Sequence, residues 1–164
     1  MIRSARLAAV AGIAAAASLA VTGPAEAATY SNILNYNSGL CLSVAGGGST
    51  ANGAKAIQWT CNGGGEQAWA WSGHRLVNYK SGKCLSVSGG GSTANGAELV
   101  QWTCNGGAEQ DWYPSSYRLV NGKSGKVASI EDGGSTRAGA NVIQWSDNGG
   151  PEQYWTFRDA IIDA

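Results

Sequence analysis

Three tryptophans, Trp69, Trp112 and Trp155, stand 43 residues apart, and each closes a copy of one phrase: CNGGGEQAW, CNGGAEQDW and DNGGPEQYW. A second trio, Trp59, Trp102 and Trp145, keeps the same spacing. The copies align without gaps and take up about residues 33–75, 76–118 and 119–158. A unit of this size is one supersecondary piece that cannot bury its own apolar face, so the copies must pack on one another. Three copies with no distinct polar caps favour closure around a threefold axis over an open stack.

Each copy reads as short strands. In "LCLSV" (40–44) Leu and Val alternate with Cys and Ser, and in "AIQWT" (56–60) Ile and Trp share a face opposite Gln. "AWAWS" (68–72) and "RLVNY" (75–79) follow, with Gly-rich turns between them. The expectation is an all-β domain of about four strands per copy. The tail "DAIIDA" (159–164) either closes against the first strand or hangs free.

The chain opens differently. Arg3 and Arg6 precede a small apolar run, Leu7 to Val21, and Ala25-Glu26-Ala27 offers a cleavage site. This pattern is a secretory signal peptide over residues 1–27, with a secreted, extracellular domain over 28–164. The run is short and Ala-rich for a membrane span. Without Arg3, Arg6 and Glu26, the 11 basic and 11 acidic residues fall to nine and ten. That balance gives no reason to expect nucleic acid or a membrane surface as partner. Seven Trp in a chain only 13% charged suit a neutral polar partner.

Cys41 and Cys61 are 20 residues apart, as are Cys84 and Cys104, and the third copy carries Val127 and Asp147 instead. Both members are lost together, which favours disulfides within a copy, 41–61 and 84–104. An oxidising destination makes them disulfides rather than metal ligands. With one His and no CxxC, no metal or cofactor is expected.

Gln67-Ala68-Trp69, Gln110-Asp111-Trp112 and Gln153-Tyr154-Trp155 resemble the three QxW motifs of ricin-type (R-type) lectin domains. "SGKCLSVSGGGSTANGAELVQWTCNGGAEQDW" (81–112) is similar throughout to one repeat of that family and of family 13 carbohydrate-binding modules. The resemblance implies a β-trefoil, three four-stranded lobes around a pseudo-threefold axis. It places Trp69, Trp112 and Trp155 in the shared core, with the motif Gln tying down its loop. It makes Trp59, Trp102 and Trp145 platforms under sugar rings, because an indole face suits the C–H face of a pyranose. The alternative puts these three in the core beside Ile57, Val100 and Ile143, with Gln58, Gln101 and Gln144 pointing outward.

The chain also departs from the family. Where sugar-binding members carry Asp it has Ser43, Ser86 and Ser129, and where they carry Asn before the motif Gln it has Glu66, Glu109 and Glu152. One hypothesis is an exchange, in which the loop Glu accepts from sugar hydroxyls and the Ser completes the rim. Otherwise each Glu bonds backbone amides of its own loop and the sites are silent. The candidate carbohydrate-binding set is therefore Ser43, Trp59, Glu66 and Gln67, with Ser86, Trp102, Glu109 and Gln110, and Ser129, Trp145, Glu152 and Gln153. The third copy is the weakest candidate, with Glu131-Asp132 in its turn.

The expected function is a small secreted lectin, a monomer binding a galactose-type sugar or polysaccharide at up to three shallow sites. The alternative is a secreted protein-binding β-trefoil that has lost its sugar sites. No enzyme is expected. His74, the only His, lies in the turn "WSGHRL" with no His counterpart, and no motif gives a Ser or Cys a base. A glycosidase needs two carboxylates about one bond, whereas Glu66, Glu109 and Glu152 fall in separate copies.

Overall fold

The computed structural model describes residues 27–162. The signal peptide expected over 1–27 therefore lies outside the described residues, except for Ala27. Twelve strands follow in three groups of four. The first lobe holds β1 (Ser31–Asn35), β2 (Cys41–Val44), β3 (Ala56–Trp59) and β4 (Trp69–Ser72). The second holds β5 (Arg75–Asn78), β6 (Cys84–Val87), β7 (Leu99–Trp102) and β8 (Trp112–Ser115). The third holds β9 (Arg118–Asn121), β10 (Val127–Ile130), β11 (Val142–Trp145) and β12 (Trp155–Asp159). Four strands per lobe, all-β and threefold, is the β-trefoil.

The outer strands of each lobe form a barrel. β1 pairs antiparallel with β4 and β12, β4 with β5, and β8 with β9. The remaining seams are joined by Trp112 N donating to His74 O and Trp155 N to Tyr117 O, both at 2.7 Å. Closure removes the free sheet edge that each lobe would otherwise expose. The tail takes part: Ala160 N donates to Tyr30 O at 2.9 Å, while Ile161 beyond it is exposed.

The inner strands form three hairpins, β2–β3, β6–β7 and β10–β11, that cap the barrel. They touch through the bridges Lys55–Val100, Ile57–Asn141 and Glu98–Ile143. The core lies between barrel and hairpins. Ile33, Leu42, Leu76, Leu85, Leu119 and Ile130 are buried there with Trp69, Trp112 and Trp155. Each core indole also has a buried polar end to satisfy. Trp69 Nε1 donates to Leu42 O at 3.1 Å, Trp112 Nε1 to Leu85 O at 3.0 Å and Trp155 Nε1 to Ala128 O at 3.0 Å.

The disulfides join Cys41 to Cys61 and Cys84 to Cys104, as the joint loss in the third copy implied.

Candidate functional site

Strand alternation decides what each hairpin shows to solvent. In the first lobe Trp59 pairs with Cys41 and Ile57 with Ser43, so these four share the outer face. Gln58 and Leu42, also partners, share the inner one. Trp59, Trp102 and Trp145 are accordingly 45%, 44% and 41% exposed, and Gln58, Gln101 and Gln144 are buried. The alternative that buried these indoles and turned the glutamines out is not what forms.

The outer face of each hairpin is the wall of a cleft. The first is lined by Ser43, Ile57, Trp59, Asn62 and Glu66 under the turn Gly46–Gly48, with a volume near 230 Å³. The second gathers Ser86, Val100, Trp102, Asn105 and Glu109, and adds Glu98, in about 450 Å³. The third gathers Ser129, Ile143, Trp145, Asn148 and Glu152, and adds Asp132, in about 340 Å³. The predicted Ser, Trp and Glu thus meet in one cleft per lobe. The serines are nearly buried.

Asn62, Asn105 and Asn148 were missed, although Asn-Gly-Gly recurs in every copy. Each Asn orients its glutamate. Asn62 Nδ2 donates to Glu66 Oε1 at 3.3 Å, Asn105 Nδ2 to Glu109 Oε1 at 3.1 Å and Asn148 Nδ2 to Glu152 Oε1 at 3.0 Å. The same Asn accepts through Oδ1 from the amide of Gly64, Gly107 or Gly150. A Cβ on any of them would meet the carboxylate oxygens, the mobile end of that side chain, so the carboxylate would have to shift from this position. Among the described residues no backbone amide bonds these carboxylates, unlike the alternative in which each Glu bonds amides of its own loop.

Gln67, Gln110 and Gln153 need correction as contact residues. They are 0% exposed and do not line the clefts. Gln67 Oε1 accepts from Asn62 N and its Nε2 donates to Thr60 O, both at 2.9 Å. Gln110 and Gln153 repeat this on Asn105 and Thr103, and on Asn148 and Ser146. With one hydrogen bond at each end of the amide and no exposed surface, the side chain presents nothing to a ligand. It fixes the segment that carries the platform Trp and the cleft Asn.

The turns above the clefts need left-handed backbone. Gly46 and Gly47 have φ of 70° and 66°. In the third lobe Asp132 takes the first of these places at φ 56°, a conformation Asp tolerates better than most residues. Its neighbour Glu131 does not line the cleft: its carboxylate accepts from Asn141 N at 2.7 Å and Asn141 Nδ2 at 2.9 Å. At the second cleft Glu98 pairs with Lys55 at 2.7 Å. That hydrogen bond, aided by charge attraction, raises the Lys55 ammonium above its ordinary range. His74 sits in its exposed turn, its ring 4.4 Å from that of Tyr113 and outside the clefts. Among the described residues no group of three His, Cys, Asp or Glu could hold a metal ion, and no helix is long and apolar enough to cross a membrane.

A flat indole beside a serine, an amide and a carboxylate can hold a small ligand with one apolar face and several hydroxyls. A family model described as a ricin-type beta-trefoil lectin domain matches residues 29–155. A designed 3-fold symmetric protein, ThreeFoil, is 36% identical, with 79% of this chain and 98% of that one covered and a TM-score of 0.73. An exo-beta-1,3-galactanase from Clostridium thermocellum is 34% identical over 83% of this chain, with a TM-score of 0.73, and this chain spans 31% of it. The C-half of an earthworm R-type lectin, solved in complex with GalNAc, shares the fold at 18% identity, covering 80% and 98% with a TM-score of 0.70. No curated protein matches the sequence.

Proposed function

The chain belongs to the ricin-type beta-trefoil lectin family, and from that premise we propose that it is a secreted, monomeric, non-catalytic module that binds glycan through three shallow clefts. The observation that carries this reading is the recurrence, in every lobe, of a half-exposed Trp with Ser, Asn and Glu in one cleft. The indole takes the C–H face of a pyranose. The glutamate, held by its Asn, accepts from ring hydroxyls in charge-assisted hydrogen bonds, and the serine completes the rim.

A carboxylate in each cleft selects against acidic sugars, because a second negative charge would meet it at close range. Neutral hydroxyl-rich sugars fit, galactose-type ones first. The matched part of a galactanase supports a β-1,3-linked galactan as the first polysaccharide to try. Two disulfides suit a destination outside the reducing cytosol.

One cleft of this depth supports affinity on the order of millimolar, about −4 kcal/mol. Three on one rigid body gain avidity on a branched or repeating glycan. The test is a glycan array with the oxidised protein, covering galactosides, uronic acids and cell-wall polysaccharides. Selective binding to neutral galactosides or galactan is expected. A blank array from folded, disulfide-bonded protein overturns the reading and turns the search to protein partners. Binding led by uronic acids overturns the role given to the glutamates.

A further inference from the structure

The three platforms are alike in position but differ in how firmly they are held. Each indole leans on the preceding lobe. Trp102 Cζ3 lies over Gly53, Trp145 over Gly96 and Trp59 over Gly139, so that a Cβ on those glycines would touch the ring at 3.7, 3.6 and 3.5 Å. A backbone clasp accompanies each contact. Gly53 N donates to Gln101 O and Gln101 N to Ala54 O, both at 2.9 Å, and the same pair recurs at Gly96 with Gln144 and at Gly139 with Gln58.

One side chain breaks the symmetry. Asn52 Oδ1 accepts from Thr103 N at 2.9 Å and Thr103 Oγ1 at 3.1 Å, gripping the residue after Trp102. Asn95 Oδ1 does the same to Ser146, after Trp145, at 3.0 and 3.2 Å. The equivalent residue facing Thr60, after Trp59, is Ala138, which has no acceptor to offer. The disulfide is the other tether on this segment, and it follows a different pattern. Cys61 and Cys104 anchor it in the first and second lobes, while the third has Asp147. In the third lobe Arg118 Nε holds Asp147 instead, at 2.7 Å in a half-exposed, solvent-screened ion pair, so the second lobe alone joins the Asn grip to a covalent tether.

We infer that Asn52 and Asn95 are positioning residues for the sugar platform of the following lobe, and that the second cleft is the principal binding site. This rests on the carbohydrate reading above. A platform already fixed loses less freedom when a sugar docks, which amounts to about a threefold to tenfold gain in affinity for one immobilised side chain.

The experiment is per-site NMR of the intact, oxidised protein, using the indole Nε1–H signals of Trp59, Trp102 and Trp145. ¹⁵N relaxation reads ring order in the free protein, and a lactose titration reads three dissociation constants. Trp102 is expected to be the most ordered and its cleft the tightest. Asn52→Ala should lower order at Trp102 and weaken that cleft about threefold to tenfold while leaving Trp59 and Trp145 unmoved. Asn52→Asp, which keeps an acceptor oxygen, should restore both. Ala138→Asn should tighten the first cleft. Equal order at the three rings, or no local response to Asn52→Ala, overturns the positioning role even where lactose binds. If lactose moves none of the three indoles, the galactoside reading falls, and the ranking of clefts falls with it.

Discussion

In the first and second lobes a disulfide ties the second strand to the segment after the third. In the third lobe Val127 and Asp147 hold those two places and Arg118 does the tying. Its Nε donates to Asp147 Oδ1 at 2.7 Å, its Nη2 donates to the Tyr154 hydroxyl at 3.0 Å, and its guanidinium lies 4.5 Å from the centre of that ring. The bond to Asp147 raises the arginine above its ordinary range. The second lobe has a shadow of this arrangement, with Arg75 Nη2 3.5 Å from Asp111 in the place of Tyr154. This point is tethered in all three lobes, covalently in two and ionically in one. What differs is where the cost falls. A disulfide restricts the unfolded chain, whereas an ion pair acts only in the folded one and weakens with salt.

The largest effect should come from what all three lobes share. Trp112→Ala removes a 0% exposed indole and its bond to Leu85, and should cost about 3–5 kcal/mol in urea unfolding. Trp69→Ala and Trp155→Ala should match it. A much milder Trp155→Ala would mean that the third lobe packs apart from the others. Next, replacing Cys84 and Cys104 together by Ser should cost about 3 kcal/mol, since the bond closes a loop with a separation of 20 residues. An unchanged unfolding midpoint would show that the covalent tether adds nothing over the ionic one.

Trp102→Ala should lower affinity at its cleft about tenfold or more while hardly moving stability, because the ring is nearly half exposed. Trp145→Ala tests whether the third lobe, without a disulfide, still binds. Equal losses at the two clefts would make the tether irrelevant to the site. The smallest change is expected for Arg118→Ala, a loss of stability below that of either disulfide and one that shrinks as salt is added. If that loss is insensitive to salt, stacking on Tyr154 rather than the pair with Asp147 holds the lobe.

Much of this was legible in the sequence. The 43-residue period, the strand alternation and the joint loss of Cys41 and Cys61 equivalents foretold the twelve strands and both disulfides. Alternation in "AIQWT" also put Trp59 and Gln58 on opposite faces, as they are. The role of Gln67 was half legible. The motif implied a loop tie, but only the fold shows that both ends of its amide are turned into the loop and buried. The role of Asn62 is not legible in the recurring Asn-Gly-Gly, because nothing local says that its side chain turns back to the glutamate four residues on.

Taken alone, the sequence determined the repeat, the alternation of faces and the cysteine pairs, since each depends on residues close along the chain or on a strict period. Closure of the three lobes decided the rest. Gln101 clamps Ser49 O and Ala51 O, Gly53 supports Trp102, and Asn52 grips Thr103, all between neighbouring lobes. Contacts across some fifty residues exist only once the barrel has shut and brought each hairpin against the next. For that reason each platform is supported by the lobe before it, which no single copy of the repeat can show.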